Sequence, residues 1–200
     1  MKLYYAPGAC SISPHIALCE AGIAHQIEKV DLKAKKTESG ADYLAINPKG
    51  YIPALQLDNG DVLVEGTVIV QYIADQMPDS GLAPKAGSME RYRLMEWLTF
   101  ISSELQKAFS PLFNAAMPDE GKKIFRDRLA LRWAYVDKQL AGKKYVLGDQ
   151  FTVADVNLGS VLAWSSFIGI SLAKYPNLER WLGECAARPA AQKATALAMA

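Results

Sequence analysis

The stretch PDSGLAPKAGS, residues 78–88, constrains this chain more than any other. It is dense in Pro, Gly and Ser, and neither a helical nor a strand period runs across it, so the 200 residues divide there. Before it, Lys2–Tyr5 reads as a strand and Pro7-Gly8 as a turn, after which Ile12, Ile16, Cys19 and Ile23 recur at helical spacing, with Gly22 as a stop. Pro14 is tolerated only in a first turn, which places the helix start near Cys10–Ser13. Gln26–Leu32 reads as a second strand. Apolar runs at 51–57 and 61–64, joined by Asp58-Asn59-Gly60, predict a hairpin. Val68, Ile69, Tyr72 and Ile73 mark one face of a closing helix. Residues 1–80 therefore form a compact α/β unit.

Beyond the break no strand pattern stands out. Leu94, Trp97, Leu98, Ile101, Leu105 and Phe109 form a helical stripe closed by Pro111. Phe125, Leu129, Val136 and Leu140 outline a second helix ending near Gly142. Thr152 to Asp155 is a capping box that opens a third. Leu178, Trp181, Leu182 and Cys185 suggest a fourth, stopped by Arg188-Pro189. The expected organisation is an α/β domain over 1–80, a linker over 81–87 and an all-helical domain over 88–200.

Charge limits the partners. The whole chain carries +1, so no strong field attracts nucleic acid or an anionic membrane. That total hides a net −4 over residues 1–80 (6 basic, 10 acidic) and +5 over the rest. Residues 156–173 lack charge, but their Gly, Ser and Asn content fits a broken buried helix better than a membrane span. Cys10, Cys19 and Cys185 form no CxxC pair, which suits a reducing cytoplasm rather than a disulfide framework. The start has no apolar leader segment. His15 and His25 read as too few and too isolated for a metal site.

Three places could carry chemistry. Cys10 follows a turn and precedes a helix, where unpaired N–H groups and the helix dipole favour a thiolate; the bland alternative is a small buried hydrophobe. Pro53 stands where a strand should begin, so it marks an edge, a bulge or a cis bond, and a cis bond would expose the preceding backbone to an extended peptide ligand. Glu65-Gly66-Thr67 precedes a helix, where amides offer a carboxylate site and Glu65 can hold an ammonium, against plain capping. Lys35 reads as part of a solvated basic loop, and Lys122, Lys123, Arg126, Arg128 and Arg132 as a wet helix face. Ser11 is either a helix cap or a hydroxyl donor to the neighbouring sulfur.

MKLYYAPGACSISPHIAL, NPKGYIPAL, LVEGTVIVQYIAD, ERY, SSEL and GDQFTVAD occur in this order, and with them the sequence resembles cytosolic glutathione transferases of the bacterial beta class over essentially its whole length. It is similar, less closely, to members associated with breakdown of aromatic compounds. The resemblance implies a thioredoxin-like first domain, a helical second domain, a homodimer and glutathione as co-substrate. It implies that Cys10 contacts the glutathione sulfur as the catalytic residue. Pro53 would be the cis-proline, with Ile52 pairing its backbone to the cysteinyl unit. Glu65 and Gly66 would hold the γ-glutamyl end and Lys35 the glycine carboxylate. Thr99, Ser103, Glu104, Leu105 and Gln106 match positions lining the site, some of them across the dimer. Phe109, Phe113 and Trp164 would wall an electrophile pocket in the cleft between domains, together with the Tyr5–Ala9 loop. Gln106 stands where many relatives have histidine, and Thr99 where some have asparagine; a glutamine can donate to a thiolate but is no base near neutral pH.

The function implied is conjugation of the glutathione thiolate to apolar electrophiles, in detoxification or xenobiotic breakdown, without metal, nucleic acid or membrane. The rivals are a glutathione-dependent thiol–disulfide reductase or peroxidase using Cys10, and a non-enzymatic ligand carrier.

Overall fold

The computed structural model describes residues 1–199, with side chains described through 196. It divides into two compact units. The first contains Met1–Ala83, built on a five-stranded sheet of β1 (Lys2–Tyr5), β2 (Gln26–Asp31), β3 (Lys36–Thr37), β4 (Ala54–Gln56) and β5 (Val62–Val64) in the order β3-β2-β1-β4-β5. β1 runs parallel to β2, pairing Leu3 with Ile27, and antiparallel to β4, pairing Leu3 with Leu55. A parallel pair needs a crossover, and α1 (Ile12–Glu20) supplies it. Its start at Ile12 keeps Pro14 inside the first turn, as the sequence requires. Two further α-helices, α2 (Tyr43–Ile46) and α3 (Gly66–Gln76), and a 3-10 turn over Pro78–Ser80 complete this stretch.

Central β1 alternates its side chains between two faces. Tyr4 joins Val30, Tyr43, Ile52 and Ala54 in one buried cluster, while Leu3 on the opposite face is fully buried. α1 packs on α3 and both reach the sheet. Each buried Leu or Ile of this core (Leu3, Leu18, Leu55, Ile69, Ile73) contributes roughly 1.5–3 kcal/mol.

The second unit, Pro84–Ala187, contains α4 (Met89–Phe100), a π-helical segment Ile101–Gln106, α5 (Lys107–Phe113), α6 (Asp119–Leu140), α7 (Val153–Leu162), α8 (Trp164–Phe167) and α9 (Pro176–Ala186). Ser88 caps α4 by accepting the Arg91 N–H at 3.1 Å. α6 stops at Leu140, and Gly142 takes a positive φ of 70°, where a side chain would strain the turn. The expected capping box opens α7: both halves of the Thr152–Asp155 exchange are present. Asp155 does more, because its buried carboxylate also accepts the Val146 N–H at 2.9 Å and the Trp181 indole N–H at 3.0 Å. The uncharged stretch resolves into the mostly buried α7 and the short α8. Among the described residues no helix is long and apolar enough to cross a membrane.

Two expectations need correction. Pro111 does not close the first helix but lies inside α5, flanked by the buried Phe109 and Leu112, whose packing holds the turn despite the missing N–H. The helical domain also does not run from 88 to the end. The chain from Arg188 onward clusters with the first unit, where α10 (Pro189–Met199) packs on α1. Arg188 anchors it there by donating from Nε and Nη2 to the Glu20 carboxylate.

Candidate functional site

In the first unit, the turn after β1 and the loop before β4 bring a thiol to a backbone carbonyl. Cys10 Sγ lies 3.4 Å from Ile52 O and donates to it. Ile52-Pro53 is a cis peptide, as one sequence alternative had it. The Ser11 hydroxyl is not a helix cap and is committed elsewhere: it accepts the Ala6 N–H at 3.2 Å and reaches Ala6 O at 3.3 Å, closing the loop that carries Cys10.

The loop 47–52 is pinned by residues the sequence reading passed over. The Tyr51 carbonyl accepts from Tyr43 Oη and Asn47 Nδ2, both at 2.7 Å, and Asn47 Oδ1 accepts the Lys49 N–H at 3.2 Å. Burial pushes the Tyr43 phenol up to about 12, so it remains a donor. The NP in NPKGYIPAL was the available signal, since Asn before Pro starts turns through its side chain.

Glu65 and Gly66 begin α3. The helical pattern leaves the Gly66 and Thr67 amides without an intrahelical acceptor, and a side chain at Gly66 would sit 3.6 Å from Pro53 Cγ. Glu65 holds φ 71° and ψ 110° with an exposed carboxylate, bonded to Lys49 Nζ at 2.7 Å. Lys35 is not merely part of a solvated run. It too has positive φ, 56°, and its Nζ donates to Gly50 O at 2.8 Å. A side chain at Gly50 would press within 3.2 Å of that Nζ. Thus Cys10, Ile52 and Pro53 meet at one point, Gly66 lies against Pro53, and Lys35 is fastened to the loop that leads there.

In the second unit the expected residues lie on α4, the π segment and α5, with Trp164 at the start of α8. Thr99 Oγ1 donates to Met95 O and Ser103 Oγ to Thr99 O, both at 2.8 Å. Glu104 is clamped by Arg128 at 2.9 Å and Arg132 at 2.8 Å. The Arg128 hydrogen bond, then that of Arg132, holds its carboxyl below the usual range. Those two arginines are therefore not simply a wet face. Leu105 is fully buried and Gln106 half-buried. The wider π turn spans Ser103–Gln106, which a stripe of apolar spacing could not reveal. Phe109, Phe113 and Trp164 form one aromatic cluster, with Trp164 edge-on to Phe109 at 5.7 Å and to Phe113 at 5.8 Å; Phe109 is buried while Phe113 is 49% exposed.

One reading is overturned. His15 and His25 are not isolated: their rings stand edge-to-face 5.2 Å apart, beside Cys19.

Known proteins share this fold. Residues 9–76 match the family model described as Glutathione S-transferase, N-terminal domain, and residues 100–189 match Glutathione S-transferase, C-terminal domain. The chain is 42% identical to Glutathione S-transferase GstA of Escherichia coli O157:H7, covering 97% of this chain and 96% of that one. Among solved structures, the ternary complex of BphK, a bacterial GST, superposes with TM-score 0.98 at 54% identity over 100% of both chains. A sphingomonad glutathione S-transferase complexed with glutathione does so with TM-score 0.96 at 47% identity, covering 100% of this chain and 99% of that one.

Proposed function

The chain belongs to the glutathione S-transferase family, and on that premise we propose that glutathione binds where Cys10, Ile52, Pro53, Glu65, Gly66 and Lys35 are gathered. The observation that carries this is the contact of the Cys10 thiol with the Ile52 carbonyl at 3.4 Å. It brings a sulfur-binding group and the peptide backbone before the cis-proline to one point. The charges fit the ligand: Glu65 for the ammonium, the Gly66 and Thr67 amides for the adjacent carboxylate, Lys35 for the distal carboxylate. Lys49 is the resident partner of Glu65, but side-chain exposures of 56% and 63% make that pair weak and easily exchanged for a ligand ammonium.

The reaction is glutathione transfer. The bound thiol loses its proton, its sulfur bonds to an electrophilic carbon, and the leaving group departs with the electron pair. Cys10 sits beside that sulfur as a contact rather than as the attacking group. Phe113 and Trp164 offer an apolar aromatic wall for the electrophile, with the buried Phe109 packed behind them, and Thr99, Ser103 and Gln106 line the same unit; Glu104 serves by holding the π segment to α6. The class is the bacterial beta class, its role the removal of apolar electrophiles, and its compartment the cytoplasm, in keeping with cysteines lacking any CxxC pair. A homodimer is supported by the exposed apolar side chains Met89, Tyr92 and Met95 spaced along α4.

The test is glutathione conjugation to a chlorinated dinitrobenzene from pH 6 to 8, in the parent and in Cys10→Ala. Turnover that rises with pH and persists in the variant, reduced about tenfold, is expected. No turnover in protein that binds glutathione, or complete loss in Cys10→Ala, overturns the assignment. Sedimentation of the parent at micromolar concentration tests the dimer.

A further inference from the structure

Outside the glutathione site, the first unit gathers three metal-ligating side chains. His15 and Cys19 are four residues apart on α1, one turn, and so share a face. His25 comes from the loop leading into β2. One ligand atom from each, an imidazole nitrogen from each histidine and the Cys19 sulfur, lie within 4.8 Å of one another. Ordinary metal–nitrogen and metal–sulfur bonds of about 2.0–2.3 Å place tetrahedral ligands some 3.3–3.8 Å apart, so small rotations of the side chains close the triangle.

Two independent features point the ligand atoms at a cation. The His15 side chain is 1% exposed, yet neither ring nitrogen has a hydrogen-bond partner. A buried imidazole without partners is uncommon, because leaving its polar atoms unpaired is unfavourable by about 1–3 kcal/mol. His25 is set differently: Nδ1 lies 2.7 Å from the Ile23 carbonyl. A carbonyl only accepts, so Nδ1 carries the proton and Nε2 keeps its lone pair, the tautomer a backbone carbonyl fixes in metal-binding histidines.

We propose that His15, Cys19 and His25 form a binding site for a zinc-class divalent transition-metal ion that clamps α1 to the start of β2. Two imidazoles and a thiolate select this class over magnesium or calcium, which prefer oxygen. His15 needs no deprotonation on binding: burial, helped by the nearby His25 and Lys193, lowers it to about 4. Burial raises the Cys19 thiol, with Lys193 of α10 opposing and Glu20 reinforcing. The thiol is therefore protonated at neutral pH, and the balanced step is Cys19–SH plus M²⁺ giving Cys19–S–M⁺ plus H⁺. Glu20 is engaged by Arg188, which leaves the three named side chains as the donors.

The site is tested with the full-length protein, stripped by chelator and titrated with Co²⁺. The expected result is one equivalent bound, a thiolate-to-cobalt charge-transfer absorption, and about one proton released per ion. The absorption persists in Cys10→Ser and disappears in Cys19→Ser. His25→Asn, on a half-exposed loop position, supplies a second reading should Cys19→Ser fold poorly. Zn²⁺ displaces Co²⁺ and raises the melting temperature of the parent but not of His25→Asn. Absence of stoichiometric binding, an absorption that survives Cys19→Ser or His25→Asn, or one that vanishes in Cys10→Ser overturns the proposal.

Discussion

The carbonyl of Tyr51 should behave as a coupled energetic unit with its two donors. Tyr43 and Asn47, 0% and 3% exposed, each donate to it at 2.7 Å. Tyr43→Phe removes one donor and leaves the other, so destabilisation of about 1 kcal/mol is expected. Asn47→Ala removes the second donor, deprives the Lys49 N–H of its acceptor and opens a small cavity, for about 2 kcal/mol. The double variant strips the carbonyl of both, and its loss should exceed the sum, reaching about 4–5 kcal/mol. The loop concerned carries Gly50, whose carbonyl holds Lys35, and Ile52, whose carbonyl meets Cys10. Loosening it should therefore raise the KM for glutathione about fivefold in Asn47→Ala, equivalent to about 1 kcal/mol, while kcat at saturating glutathione changes less than twofold. Urea unfolding gives the first set of numbers and steady-state conjugation with glutathione varied gives the second. Strict additivity in the double variant, or lost stability with KM unmoved, would refute the coupling between scaffold and site.

Asp155→Ala should lower stability by about 4 kcal/mol, because it abandons the buried donors on Val146, Thr152 and Trp181 together; a thermal melt falling by less than about 5 °C contradicts this. Stability should also decline in mild acid. The folded-state pKa of His15, about 4, lies below its ordinary 6.5, so the unfolded chain takes up a proton that the folded chain refuses. That contribution is complete above pH 6.5 and is lost as pH falls towards 4. Urea midpoints in chelator should drop between pH 7 and 5 in the parent and flatten in His15→Gln.

The sequence laid out most of the architecture because its signals were local. The breaker at 78–88, the Asp58-Asn59-Gly60 turn and the Thr152–Asp155 box each act through neighbouring residues, and the structure places elements where these signals do. What local pattern could not supply came from long-range packing. The return of α10 to α1 depends on Arg188 meeting Glu20, residues far apart in the chain. The π segment escaped because apolar spacing at 94, 98, 101, 105 and 109 fits an ordinary helix equally well. His15 and His25 looked isolated for the same reason, since the turn that returns the chain towards β2 is what brings His25 to the face of α1. At the glutathione site, Cys10 and Pro53 carried their own signals. Lys35 did not and read as a solvated loop, while Glu65 carried a reading as an ammonium partner that competed with plain capping.

Backbone geometry supplies the missing signal for Lys35 and a deciding one for Glu65. Among the described residues, the non-glycine positions with positive φ are Lys35 at 56° and Glu65 at 71°. Such conformations cost about 1–3 kcal/mol each and persist where function requires the side chain. Both are the charged groups assigned to opposite ends of glutathione. Glu65 is the cleaner test, since its carboxylate is 63% exposed and its ion pair with Lys49 is worth little to folding. Glycine there relieves the backbone and still serves at the start of α3. Glu65→Gly should therefore leave the urea midpoint unchanged or raise stability by about 1 kcal/mol, whereas Glu65→Ala keeps the strain and gains nothing. Both should raise the KM for glutathione about tenfold, because the ammonium loses its carboxylate. If Glu65→Gly destabilises as much as Glu65→Ala, the strain is not stored at this residue. If neither moves KM, the carboxylate does not hold the ligand, and the strained residue has some other cause.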